Sequence, residues 1–400
     1  MQIELIFFAI IFLVIIALLA FKRPLWQAIG GGLIVAILLY QIPPLEVLKC
    51  TSNVFTNWNS FSVIVSLYLI TYLQQMLNMR NITAYVVDDM NHLFRSKRAN
   101  VISTSLFFGL LPSAAATIFC GDIVKESTNE YLDKYEQAFI TSWYRHIPES
   151  FMPTYSFILL FATLVNVPIT QFIGCMIIPI FIFILVGYYP YITKLPKSSV
   201  EEKRIGKGKH LIQLLKHLWP ILLVLILILC FGLSVVTSVI ISIAATGITY
   251  KFTKTELLTL IKTAFDPALI VNSFLCLVLK EFISYVKVLE LLPDALSVLP
   301  IPTYLVFVLI FFIGGLFNVT GIIAIGAPLA FSTLSGGAPL MMLLMCVCHA
   351  ASQISPTHIC VVIAAEHFDI SIGALIKRVM PVSLLYCLLI ILYYNLLILI

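Results

Sequence analysis

Two short stretches hold most of the side chains capable of chemistry. In the first, Arg145, His146 and Glu149 fall within five residues and are followed by Pro153 and Thr154; in the second, His349, Gln353, Ser355, Thr357 and His358 surround Pro356. An arginine can hold an anionic substrate by charge-assisted hydrogen bonds, and a histidine or carboxylate can carry a proton. The alternative for Arg145 and Glu149 is an i,i+4 ion pair that braces its own helix. The alternative for the second group is interhelical glue. There is no H-E-x-x-H and no G-x-S-x-G, so catalysis is not expected. Cys346, Cys348 and His349 lie close in sequence, but no second ligand cluster accompanies them, so no metal site is expected. The nine cysteines lie mostly in apolar stretches without C-x-x-C pairing and read as small packing residues.

The surroundings make these polar residues costly. Hydrophobic residues are 61% of the chain and charged residues 11%, with a mean hydropathy of +1.06, whereas a soluble domain carries roughly 25% charged residues. That balance cannot cover a water-facing surface. The fold class expected is an all-α polytopic membrane protein with the lipid bilayer as partner, and there a charge near the midplane costs about 2.5 to 3.5 kcal/mol on insertion scales. The net charge of +5 has a membrane explanation and is not a sign of nucleic acid.

Ten apolar stretches are long enough to cross: about 3–21, 25–42, 57–79, 136–166 and 168–190 in the first half, and 211–232, 234–250, 263–283, 338–366 and 372–399 in the second. The first has no basic residues before it and no small-residue cleavage site, so it reads as a retained helix and not a leader. Gly30, Gly31 and Gly32 suit a close helix contact. Between the third and fourth crossings of each half, an amphipathic piece (82–95 or 286–299) leads into two short apolar runs separated by a break, which predicts an interfacial helix and a re-entrant hairpin. The breaks fall at Pro112-Ser113-Ala114 and at Asn318-Val319-Thr320-Gly321. Ser113, Asn318 and Thr320 are therefore candidate site residues at the hairpin tips, the alternative being a cap with no ligand.

Basic residues orient the chain. With both termini outside, 20 of the 24 Lys and Arg fall on the cytoplasmic face. Five crossings per half is odd, so the halves enter the membrane from opposite sides and are expected to be inverted repeats, 1–192 and 211–400, joined by a basic cytoplasmic linker at 193–210. One local match supports this. His146 to Thr154 aligns without gaps on His349 to Thr357 at an offset of 203, with His, Pro and Thr coinciding, and Gly109 and Gly315 stand 206 apart before the hairpin breaks. Pro153 and Pro356 suit the first position of a new helix, with Ser355 as its N-cap, so each crossing is expected to be two half-helices whose exposed backbone lines a midplane site.

With this layout, the Trp143-Tyr144-Arg145-His146 run followed by Pro153, and the Ser355-Pro356-Thr357-His358 run with Glu366, resemble the family called domain of unknown function 401, of the ion transporter (IT) superfamily. The resemblance implies relatives that carry dicarboxylates, gluconate, citrate, arsenite or sodium and protons, often by an elevator-like movement. Relatives tend to have Gly-rich or Ser-Asn-Thr-like tips, whereas the Pro112-Ser113-Ala114-Ala115-Ala116 tip offers few side-chain oxygens for sodium. The function expected is a secondary transporter in the cell (inner) membrane, moving a small organic anion such as a carboxylate. It would be coupled to H+ or Na+, with no cofactor beyond a coupling Na+ and with a homodimer as one assembly. The alternatives are a cation/proton antiporter using Glu149 and the histidines, a channel, and an intramembrane enzyme.

Overall fold

Apolar runs punctuated by proline, glycine and asparagine fold into eighteen α-helices, with no strand among the described residues. A computed structural model describes residues 2–21, 23–82, 85, 96–110, 115–196, 207–291 and 300–399. The first-half helices are α1 (Gln2–Ala20), α2 (Leu25–Leu39), α3 (Pro44–Thr56), α4 (Trp58–Met79), α5 (Lys97–Gly109), α6 (Ala115–Thr128), α7 (Lys134–Glu149), α8 (Ser156–Leu164) and α9 (Ile169–Tyr191). Nine more follow: α10 (Lys207–Leu229), α11 (Val235–Thr249), α12 (Lys254–Thr263), α13 (Pro267–Tyr285), α14 (Thr303–Phe317), α15 (Val319–Thr333), α16 (Gly337–Ser352), α17 (Ile359–His367) and α18 (Ile372–Leu399). Each of the nine starts 203 to 210 residues after its counterpart in the first set.

Four helices are long and apolar enough to cross a membrane by themselves: α4, α9 with the 3-10 turn that ends it, α13 and α18. Their outward faces carry exposed Ile177, Phe181, Leu185, Leu388, Leu392 and Leu396, as a lipid-facing surface requires. Two helices fall outside both the expected crossings and the expected hairpins. Pro44–Thr56 and Lys254–Thr263 are partly polar and, at 13 and 10 residues, too short to cross a membrane. Of the expected interfacial pieces, 83–84, 86–95 and 292–299 lie outside the described residues, as do 197–206 of the linker.

Some helix contacts recur in both halves. α5 packs on α7 as α14 packs on α16, and across the halves α9 meets α16 while α18 meets α7. Gly109 and Gly315 make the first two contacts possible: a Cβ on Gly109 would strike the Arg145 carbonyl, and one on Gly315 would come within 2.5 Å of the Cys348 carbonyl. Near the N-terminus, Gly31 and Gly32 admit Leu18 and Ile15 of α1, while Gly30 faces open space.

Outside the apolar body, the end of α4 is clamped to α12. Arg80 donates to both carboxylate oxygens of Glu256 at 2.8 and 3.0 Å, and Glu256 closes a capping box with Thr253. The Arg80 hydrogen bonds, then those from the Thr253 backbone and side chain, hold the Glu256 carboxyl down to about 2. A depressed carboxylate stabilises the fold above its unfolded value of roughly 4.3, and the contribution is lost as pH falls through about 2. Glu256→Gln is therefore expected to reduce the acid-induced fall of the thermal midpoint in that window. An unchanged acid profile would mean that the clamp does not contribute.

Candidate functional site

Pro148 removes one backbone donor from the last turn of α7, and the helix ends at Glu149. Residues 150–155 then run as turns until Tyr155 caps α8. The matching segment, 353–358, separates α16 from α17. Here the structure corrects two expectations. Pro153 and Pro356 stand three residues before the new helices instead of opening them, and the N-cap of α17 is His358, not Ser355. Ser355 is instead spent on a local turn: its Oγ accepts from the Thr357 N–H at 3.2 Å and donates to the Leu316 carbonyl at 2.5 Å. Tyr155 does comparable work in the first half, donating its hydroxyl to the Gly109 carbonyl at 2.7 Å. Both breaks are thereby tied to the ends of α5 and α14.

The breaks also meet each other. His349 Nε2 donates to the His146 carbonyl at 2.7 Å, satisfying one of the acceptors that a helix C-terminus leaves open. The His146 ring has Nδ1 2.5 Å from the Ser142 carbonyl, so the proton sits on Nδ1 and the Nε2 lone pair points away from the helix. His358 Nε2 lies 2.9 Å from that lone pair and is the donor. Around this contact stand Arg145, 2% exposed, and Glu149, 8% exposed. Arg145 Nη1 is 3.3 Å from Cys360 Sγ and 3.9 Å from Glu149 Oε2, and the nearer of these two comes from the other half of the chain. Glu149 Oε2 is 3.6 Å from His146 Nε2 and has no hydrogen-bond partner.

The expected site residues thus divide. Arg145, His146, Glu149 and His358 are brought together, with His349 joined to them through the backbone. Gln353 is fully buried with both side-chain polar atoms unpartnered, and Thr154 Oγ1 is likewise buried and unpartnered. Thr357 is exposed beside Ser355. Asn318 ends α14 and caps α15, accepting from the Gly321 N–H at 2.7 Å. It borders an apolar crevice of about 180 Å³ with Phe12, Ile16 and Leu19 of α1. Thr320 is half-buried in the first turn of α15. Ser113 lies outside the described residues. Sequence reasoning passed over Cys360 and Tyr155. The one signal for Cys360 is its place two residues after His358; other cysteines do pack, Cys346 donating to Met176 sulfur at 3.6 Å.

A family model described as "Protein of unknown function (DUF401)" matches residues 5–398. Among solved structures, the chain is similar to the YdaH transporter of Alcanivorax borkumensis, described as having an unusual topology, with a TM-score of 0.61 at 14% identity over 88% of each chain. At that identity the likeness is one of fold. No curated protein sequence matches this chain.

Proposed function

This chain belongs to the DUF401 family, and we propose that it is a secondary transporter of the cell membrane, carrying a small organic anion at the meeting of its two broken segments. The supporting observation is the set of buried polar atoms left without partners at those breaks that can serve an anion: Thr154 Oγ1 and the side-chain amide of Gln353. Buried polar atoms in that condition are rare and costly, and a ligand or water relieves the cost. Arg145 supplies the positive charge that selects an anion, a carboxylate being the simplest match to a guanidinium fork.

The halves 1–192 and 211–400 act as inverted repeats whose helix pairs α5/α6 and α14/α15 enter and leave on one side. Cargo crosses by an elevator-like shift of the α5–α9 and α14–α18 helices against α1–α4 and α10–α13, driven by a proton or sodium gradient. Both termini face outside and the 193–210 linker is cytoplasmic. A cysteine placed at Ser199 should then resist impermeant thiol reagents in intact cells, while one added at the C-terminus reacts. The reverse pattern overturns the orientation.

Uptake into proteoliposomes under imposed pH and sodium gradients tests the function against a panel of small carboxylates. Gradient-driven uptake with counterflow exchange is the expected result. Cation–proton exchange with no anion movement would replace it with the antiporter, and unitary conductance would replace it with a channel.

A further inference from the structure

We infer that His146, His358, Cys360 and Glu149 form a binding site for a soft divalent transition-metal ion of the Zn2+ type, shared between the two halves of the chain. The inference goes beyond anion carriage and does not depend on the cargo. One ring nitrogen from each of His146 and His358, together with Cys360 Sγ, all lie within 4.8 Å of one another. Glu149 Oε2 is 3.6 Å from His146 Nε2 and has no hydrogen-bond partner; it lies outside the cluster of three and would complete the set by a side-chain shift toward it.

Two nitrogens, a sulfur and a carboxylate oxygen make the donor set of a tetrahedral zinc-type site. Zinc–nitrogen bonds near 2.0 to 2.1 Å put tetrahedral ligands about 3.3 Å apart, so the imidazoles need part by only a few tenths of an ångström from their 2.9 Å contact.

The outer contacts fit as well. A ligating histidine typically donates its other ring N–H to a carbonyl or carboxylate, which fixes the tautomer and aims the lone pair. His146 does this through Nδ1 to the Ser142 carbonyl. Arg145 Nη1, 3.3 Å from Cys360 Sγ, can donate a hydrogen bond to the thiolate. Binding sends the Cys360 thiol proton to water and moves the His358 proton from Nε2 to Nδ1. Cys360 thiolate and Glu149 then oppose the two charges of the ion. His358 is partly exposed and adjoins exposed Pro356 and Thr357, which makes this the side from which an ion would enter.

Co2+ titrated into the purified full-length chain tests this, because cobalt reports its ligands optically. The expected result is one ion per chain, with a sulfur-to-cobalt charge-transfer band and tetrahedral d–d bands, displaced by Zn2+. Cys360→Ser should remove the charge-transfer band and weaken binding by more than the roughly 10–100-fold that loss of an outer-shell partner costs. Glu149→Gln should keep the band at lower affinity. A folded wild-type protein showing only octahedral cobalt, or a band that survives Cys360→Ser, overturns the site. Should Cys360→Ser not fold, His358→Gln decides, since unchanged binding there also overturns it. The readout is separate from uptake: a band without anion uptake rejects the carrier reading alone, and uptake without the band rejects the metal site alone.

Discussion

Arg145→Gln is expected to lower stability sharply and abolish anion uptake, and adding Glu149→Gln is expected to restore the stability without the uptake. The first loss follows from burial: removing one member of a buried pair leaves an uncompensated charge, at roughly 3–5 kcal/mol. The Arg145–Glu149 approach of 3.9 Å is too long for a hydrogen bond, yet the two are the charged groups at the end of α7, and neither can reach bulk water. Taking away both charges leaves two neutral amides of similar size, so the fold should recover. If Arg145 serves only to neutralise Glu149, uptake recovers too. If it holds the anion, the stable double mutant stays inactive. Thermal midpoint and proteoliposome uptake, measured on all three variants, separate these outcomes, and recovered uptake would sink the binding role.

Gly109→Ala should be the most damaging alanine substitution among the described glycines. Its added carbon would meet the Arg145 backbone carbonyl and the Pro148 ring, and neither can rotate away as a flexible side chain would. Overpacking costs about 1–3 kcal/mol where neighbours can adjust, and here α5 must back away from α7 at the point where the first break begins. Gly315→Ala should follow it, with the Cys348 carbonyl at 2.5 Å and the Ala351 Cβ at 3.1 Å. Gly174, in α9, meets nothing within 4 Å. Alanine there should be neutral or stabilising by roughly 0.5–1 kcal/mol from helix propensity. Equal midpoints for Gly109→Ala and Gly174→Ala would show that the close approach does not limit the packing.

Much of this was legible in the residues, and the failures have physical causes. Apolar length identified the long helices α9 and α18, because bilayer thickness sets a length that composition alone reveals. Proline and the His146/His349 register marked where α7 and α16 stop. The same prolines misplaced the next helix, because a chain leaving a helix can spend several residues in turns before the next N-cap, and the Ser355 hydroxyl had a better use in its own turn. The i,i+4 spacing of Arg145 and Glu149 allowed an ion pair, which is present at 3.9 Å, but gave no sign of the 3.3 Å contact from Arg145 to Cys360, 215 residues away. Local periodicity carries no information about such a contact. Cysteine adds to the difficulty, since a buried thiol looks alike in sequence whether it packs or ligates.

The exchange of partners between halves, α9 with α16 and α18 with α7, also has a meaning in time. Ribosomes add about 5–20 residues per second, so the second set of nine helices takes roughly 10–40 s to appear. Through that interval the nascent first half must wait with Arg145 and Glu149 in place but without Cys360, His358 or the His349 bond that closes the end of α7. Biogenesis of this chain is therefore a problem of delay, and whatever shelters the half-made protein in the cell must hold it until its own sequence supplies the missing wall.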